Sequence, residues 1–309
     1  MGGAARGAAA VSVVVATRDR PGLLERAVRA ALDQRYAGDV EVLVVFDQVE
    51  PRALDVGELP EGRTLRTLRN TRTPGLPGGR NTGIDAATGA YVAFCDDDDH
   101  WVPDKLAAQL ALFAEHPGSV AVGSGVEVHT DGKVTPRLVP YPAVELRHLL
   151  RDRVFALHPS TVTVHRERLL ARVGYVDEEI PGGYAEDYDF VLRIAKAAPI
   201  PCVPRPLTVV TWGGSFFADR FAVIADALAY LLDRHPEFAD DPEGRARIEG
   251  QIAFYRAASG ARADARGWAV RALRGNWREP RSYLALAMGL RLVSAPGVLR
   301  ALNARGRGV

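Results

Sequence analysis

The chain has 309 residues, with 39 basic and 38 acidic side chains, 47% hydrophobic and 25% charged residues. These proportions exclude a disordered, collagenous or disulfide-stapled chain and suit one large domain with an appendage, or two modest domains. Its two cysteines, Cys95 and Cys202, stand in no metal-binding or redox spacing, and no apolar run reaches the roughly 18 residues that span a bilayer.

The near-zero net charge hides an asymmetry. Residues 241–309 carry 13 Arg against 5 acidic residues, a basic segment on a mildly acidic body. Met1 to Ala10 is Gly/Ala-rich without an apolar core and reads as a frayed tail rather than a secretory leader. Val11 to Ala16 is a β-branched run suited to a buried parallel strand. Pro21 opens a helix at its tolerated first position, with Leu24, Ala27, Val28, Ala31 and Leu32 as the apolar stripe. Val40 to Phe46 is a second strand, and Leu65 and Leu68 mark a shorter third. Gly75 to Gly79 reads as a loop leading into a helix over Asn81 to Ala87. Tyr91 to Cys95 is another buried strand, and Pro103 starts a helix carrying Leu106, Leu110 and Phe113. This alternation predicts an α/β fold with a mixed, mainly parallel sheet.

Val120 to Val128 and Val134 to Val139 read as strands, and Thr161 to Val164 as a further one. Ala185 to Ala197 reads as a helix. Cys202 to Val210 is strand-like but interrupted by Pro204 and Pro206, which predicts an edge position. From Asp219 onward the pattern is helical, broken near His235-Pro236 and Gly275.

The sharpest chemical feature is Asp96-Asp97-Asp98-Asp99, directly after a buried strand. Adjacent carboxylates raise one another's pKa, and a divalent cation relieves the repulsion. In an extended segment Asp96 and Asp98 face the same way, and carboxylate oxygens suit Mg²⁺ or Mn²⁺. Ligands of open α/β sheets bind beyond the carboxyl ends of the strands, where the run lies. An acidic turn capping the next helix is the plainer alternative. Asp47 and Thr17 also end strands. The segment Gly75 to Gly83 offers N–H groups and Arg80 to an anion, although it lacks the P-loop and dinucleotide signatures. Glu186, Asp187 and Asp189 follow Pro181-Gly182-Gly183, and a carboxylate there can act as general base or simply favour the helix dipole.

The segments VSVVVATRDRPGLLERAVRAAL, EVLVVFD, GGRNTGIDAATGAYVAFCDDDDHWVPDKL and AEDYDFVLRIA resemble, in order and spacing over about residues 11 to 215, a family 2 glycosyltransferase of the GT-A fold. The resemblance implies an inverting, metal-dependent transfer of a sugar from a nucleotide-sugar, a UDP-sugar foremost, to a hydroxyl acceptor. It implies that Thr17 and Asp47 hold the base, that Arg80 lies near the base or diphosphate, that Asp96 and Asp97 lie by the ribose and diphosphate, and that Asp98 with Asp96 binds Mn²⁺ or Mg²⁺. Asp187 is then the catalytic base, with Glu186 beside it orienting the acceptor. Where relatives end the second strand in two acids, this chain has Phe46-Asp47-Gln48-Val49.

The resulting layout is a tail at 1–10, a donor-binding half at 11–118, an acceptor-binding and catalytic half at 119–217, and a basic helical region at 218–309. A sugar-1-phosphate nucleotidyltransferase and a non-catalytic nucleotide-sugar-binding protein are the alternatives. The expected acceptor is a saccharide, a lipid-linked saccharide or a small molecule. His100, His158, Trp101, Trp212 and the flap Gly213-Gly214-Ser215 are further candidates around the cleft. Trp268, Trp277 and Tyr283 lie among Arg residues without a nucleic-acid motif, so nucleic acid is not expected as a partner. That basic hairpin is either a solvated face, a peripheral contact with the inner membrane face, or a dimer surface. A cytoplasmic location is expected.

Overall fold

A computed structural model describes residues 7–130, 132–211, 220–295 and 297–298. The chain forms two compact units. The first comprises Met1–Leu146, Arg153–Glu178 and Glu186–Gly213, and the second Arg147–Asp152, Glu179–Ala185 and Gly214–Val309.

The first unit is built on one sheet. Its strands are β1 (Val11–Thr17), β2 (Val40–Phe46), β3 (Arg63–Arg69), β4 (Tyr91–Phe94), β5 (His100–Trp101), β6 (Ala121–Thr130), β7 (Lys133–Arg137), β8 (Ala143–Val144), β9 (Thr163–His165) and β10 (Ile200–Thr211). They run in the order β3-β2-β1-β4-β9-β6-β10-β5, with β7 beside β6 and β8 beside β10. β1 to β4 are mutually parallel, β9 is antiparallel to both its neighbours, and β6 and β10 are parallel to each other. The sheet is therefore mixed and mainly parallel, as the alternating pattern predicts.

Both faces of β1 are covered, which is why all seven of its residues are buried. Val11, Val13 and Val15 pack with Leu24, Ala27 and Val28 of α1 (Pro21–Leu32). The alternate residues Val14 and Ala16 meet Gly83 and Gly79 of α2 (Leu76–Ala86) on the other face, as the two-residue period of a strand requires. α2 starts earlier than the sequence suggests. Gly78 and Gly79 are helical, and only glycine fits there, because a side chain at Gly78 would collide with the Thr73 carbonyl and one at Gly79 would crowd Ala16. Close packing here overrides the low helix propensity of glycine.

α3 (Lys105–Glu115), α5 (Arg166–Arg172) and α6 (Glu186–Ala197) complete this unit. β10 is not an edge strand. It pairs with β6 along most of its length, and the register shifts on either side of Pro206 accommodate the prolines. The two-residue strands β5 and β8 lie on its other side.

The chain runs outward through β1, β2 and β3, then returns to β4 on the opposite side of β1. This reversal opens a crevice at the carboxyl ends of β1 and β4, the preferred ligand position in such sheets.

In the second unit, α4 (Leu146–Arg151) lies mostly within Arg147–Asp152, and α7 (Phe221–Arg234), α8 (Pro242–Ala258), α9 (Arg262–Gly275) and α10 (Pro280–Gly289) follow. Asp241 caps α8 by accepting the Gly244 N–H at 2.9 Å and also accepts from Arg151 at 2.9 Å. α9 turns Ala265, Ala269 and Ala272 inward.

Candidate functional site

Thr17 ends β1 and Asp97 follows β4, so the reversal brings their side chains together. The Thr17 hydroxyl donates to Asp97 at 2.6 Å and accepts the Asp19 N–H at 2.9 Å. Asp19 has a left-handed backbone, φ 65°, and is held by bidentate contacts from Arg52 at 2.8–3.0 Å. Asp97 is buried; desolvation raises its pKa against the opposing pull of Thr17 and Arg20.

Asp47, just past β2, accepts from Asn70 at 2.8 Å, Gln48 at 2.9 Å, the Gly75 N–H at 3.0 Å and Arg18 at 3.1 Å. Burial alone would raise its pKa, but these donors outweigh it and hold the carboxyl below its ordinary value. The side chain is thus fixed and ionised at the crevice edge.

Arg80 projects from α2 and is buried, with Asp96 at 2.8 Å on one side and Glu186 on the other. Burial opposes its charge, yet the two carboxylates more than restore it and raise the pKa. One guanidinium therefore joins the Asp run to the start of α6. This is the arrangement in which removing one partner leaves uncompensated buried charge.

Within the run the four carboxylates differ sharply. Asp98 is partly exposed and accepts from Arg20 at 2.5 Å. Asp99 is buried and accepts from Ser160 at 2.6 Å, and desolvation together with Asp96 raises its pKa to about 8. His158 Nε2 lies 4.0 Å from Asp99, is buried and has no hydrogen-bond partner. Asp96, Asp99 and His158 present ligand atoms within 4.8 Å of one another, a set of two oxygens and one imidazole nitrogen that Mn²⁺ or Mg²⁺ accepts. The sequence reading gives the cation to Asp98 and Asp96. The fold gathers Asp96, Asp99 and His158, and leaves the Asp98 carboxylate with Arg20. His158 is brought in by the short 3-10 turn Pro159–Thr161, whose Ser160 also accepts the Asp96 N–H at 2.9 Å.

The α6 acids differ in their surroundings. Asp189 is fully buried and paired with Arg193 one turn on, at 2.7 Å, which makes it structural. Asp187 is held by Arg153 through both oxygens at 2.7 Å and accepts the Tyr188 N–H at 2.8 Å. Burial would raise its pKa, but Arg153 outweighs it and the carboxyl is pulled down. Glu186, beside it, is pushed up by desolvation despite Arg80. The two adjacent carboxyls are thus displaced in opposite directions. Beneath them lies a small apolar recess lined by Phe94, Val162, Val176, Phe190 and Val191.

Trp101 is core, donating to the Ser160 carbonyl at 2.9 Å with the buried Lys105 ammonium 4.0 Å above its ring. His100 pairs with Val209 in β5. Trp212 and Gly213-Gly214-Ser215 lie outside the described residues. The roles of Arg153 and Asp99 carry no local sequence signal, since their partners are 34 and 61 positions away.

A sequence model described as glycosyl transferase family 2 matches residues 12–173. The chain belongs to glycosyl transferase family 2. Like other members it is a glycosyltransferase, and the nucleotidyltransferase and non-catalytic alternatives give way to that assignment. It is 28% identical over 184 residues to the Escherichia coli UDP-Glc:alpha-D-GlcNAc-diphosphoundecaprenol beta-1,3-glucosyltransferase WfaP, covering 60% of this chain and 69% of that one. Its fold is similar to that of S. aureus TarS residues 1–349, solved in complex with UDP, with TM-score 0.58, 19% identity, and 91% and 88% of the two chains covered. It is also similar to the mannosyltransferase PcManGT from Pyrobaculum calidifontis, solved with GDP-Man and Mn2+, with TM-score 0.50, 21% identity, and 97% and 80% covered. These neighbours establish the GT-A architecture. Among the described residues no helix is long and apolar enough to cross a membrane.

Proposed function

We propose that this enzyme moves a sugar, with inversion, from a UDP-sugar to a hydroxyl of a lipid-linked saccharide. The observation that carries the reading is the Arg80 bridge, which fixes the donor-side Asp96 and the base-side Glu186 on one buried cation. The UDP in TarS and the diphosphoundecaprenol acceptor in the name of WfaP support the choice of donor and acceptor class.

In this reading Asp47 receives the base, with Thr17 and Asp97 forming the floor beneath the ribose and diphosphate. Asp96, with Asp99 and His158 on its buried side and Asp98 on its open side, holds Mn²⁺ or Mg²⁺. When bound, the cation offsets charge on the departing nucleoside diphosphate. Asp187 takes the proton of the acceptor hydroxyl as its oxygen attacks the anomeric carbon, and Glu186 orients that acceptor. Arg153 keeps Asp187 ionised but weakly basic until the acceptor arrives. Loosening this contact raises the carboxylate's proton affinity toward the working pH, where a general base is most effective.

The test is a donor panel on the purified chain, with thermal stability and product anomeric configuration as readouts. A Mn²⁺-dependent shift with UDP and a product of inverted configuration are expected. Asp187→Asn should keep the UDP shift and lose turnover by about 10²-fold or more. Retained configuration or normal turnover in that variant would remove Asp187 from its role.

A further inference from the structure

The second unit carries an Arg-rich surface with exposed apolar side chains. Residues 262–295 contain seven Arg and two acidic residues. Both acids are already paired, Asp264 with Arg256 at 2.9 Å and Glu279 with Arg281 at 3.5 Å. Interleaved with the arginines are large apolar side chains in water. Trp277 is 67% exposed, Leu292 is 74% exposed, and Tyr283, Leu290 and Val293 are exposed as well.

The arrangement is ordered. Tyr283 reaches across the α9–α10 turn and donates to the Trp277 carbonyl at 2.6 Å, placing the two aromatics on one turn. Arg278 lies 4.9 Å from the Trp277 ring centroid, and Arg271 lies 3.6 Å from that of Trp268. At the other end of the hairpin, Arg266 donates to the Gly289 carbonyl at 3.3 Å, beside the turn that carries Leu290, Leu292 and Val293. Both ends of the α9–α10 hairpin thus present apolar groups beside guanidinium groups.

We propose that this hairpin docks on an anionic bilayer surface, with Trp277, Tyr283 and Leu290 to Val293 in the interfacial layer and the arginines on lipid phosphates. Trp and Tyr favour the headgroup level, and basic residues beside buried apolar ones give surface binding without spanning. A second copy fits poorly, because a two-fold contact buries the same net-positive patch on both subunits, and the two acids in it are already paired. A nucleic acid would use the arginines but leave Leu290, Leu292 and Val293 without partners. The inference rests on the second unit alone and stands apart from the catalytic assignment.

The experiment is flotation of the full chain with vesicles of phosphatidylcholine alone or mixed with phosphatidylglycerol, together with tryptophan emission. Binding is expected with the anionic vesicles, weakening with salt, and with a blue shift that Trp277→Phe diminishes. Arg271, Arg274 and Arg278 changed together to Gln should lower partitioning by about fivefold for each residue, with unfolding temperature near wild type. Trp277→Ala should weaken binding on the same vesicles. The proposal falls if anionic vesicles do not capture the chain at low salt, or if the arginine and Trp277 variants bind as the parent does. It falls equally if light scattering without lipid shows a dimer that Trp277→Ala dissolves, or if duplex DNA binds with no blue shift on vesicles.

Discussion

Arg153 grips both carboxylate oxygens of Asp187 at 2.7 Å, so the proposed base is clamped by a cation that sequence separation conceals. The residue after Arg153 is Val154, a buried β-branched residue with φ 48°. Left-handed geometry is costly for such a side chain and persists only where the surroundings impose it. The surroundings therefore fix the backbone that leads out of Arg153, while its half-exposed side chain keeps freedom to move.

Removing the clamp takes a positive charge from the carboxylate, so the Asp187 pKa rises. Arg153→Gln should shift the acid limb of the kcat/KM profile to higher pH. The check is transfer rate measured from about pH 3 to 8 in both proteins; an unmoved limb would show that Arg153 does not govern the base.

Arg80 is the second decisive cation. Arg80→Met leaves the buried Glu186 and the half-buried Asp96 facing each other without compensation. The cost of breaking such a group is about 3–5 kcal/mol. Taking the lower end, thermal unfolding should fall by about 6–12 °C. A Glu186→Gln change in the same background should restore part of the loss, because it removes one of the stranded charges.

Cation binding should be pH-dependent. Asp99, at about 8, must give up its proton to serve as a ligand, and His158 must be neutral. Mn²⁺ affinity, titrated by calorimetry between pH 6 and 8, should rise by up to about tenfold per pH unit. His158→Ala should weaken it. A pH-independent affinity would take Asp99 out of the ligand set.

A different carboxyl governs acid stability. Glu178 accepts from Asn81 at 2.7 Å, Arg72 at 2.8 Å and the Thr73 N–H at 3.1 Å. Burial alone would raise its pKa, but these donors pull it from 4.5 to about 2. A carboxyl lowered on folding contributes stability above its unfolded value and loses it as pH falls through the folded one. Glu178→Gln should therefore be less stable than the parent at pH 7, and its stability should fall less between pH 4.5 and 2. Urea midpoints across that range provide the check.

Much of the scaffold is legible in the sequence because single elements carry their own patterns. β1, β2 and β4 are apolar runs, and α1 shows its stripe after Pro21. Legibility fails where packing overrides propensity, as at Gly78 and Gly79, or where a strand is two residues long, as at β5. The site was legible in its carboxylates but not in their partners. The sequence reading divides the run between the donor, Asp96 and Asp97, and the metal, Asp98 with Asp96, and gives Asp99 no role. The fold makes Asp98 a surface ion-pair partner and Asp97 a strand-end staple, and buries Asp99 beside His158. Those distinctions arise from Arg20, Thr17 and Ser160, which approach from distant segments and leave no periodic trace.

The three residues of β9 have a consequence for how the chain is made. β4 reaches β6 through Thr163–His165, which pair with Tyr91, Val92 and Ala93 on one side and with Ala121 and Val122 on the other. At a synthesis rate of about 5–20 residues per second, β4 waits several seconds for its partner. During that interval the nascent sheet has a raw edge, open to pairing with another chain. A chain ending before residue 163 would hold β1 to β4 and the β6–β7 hairpin with no strand to join them.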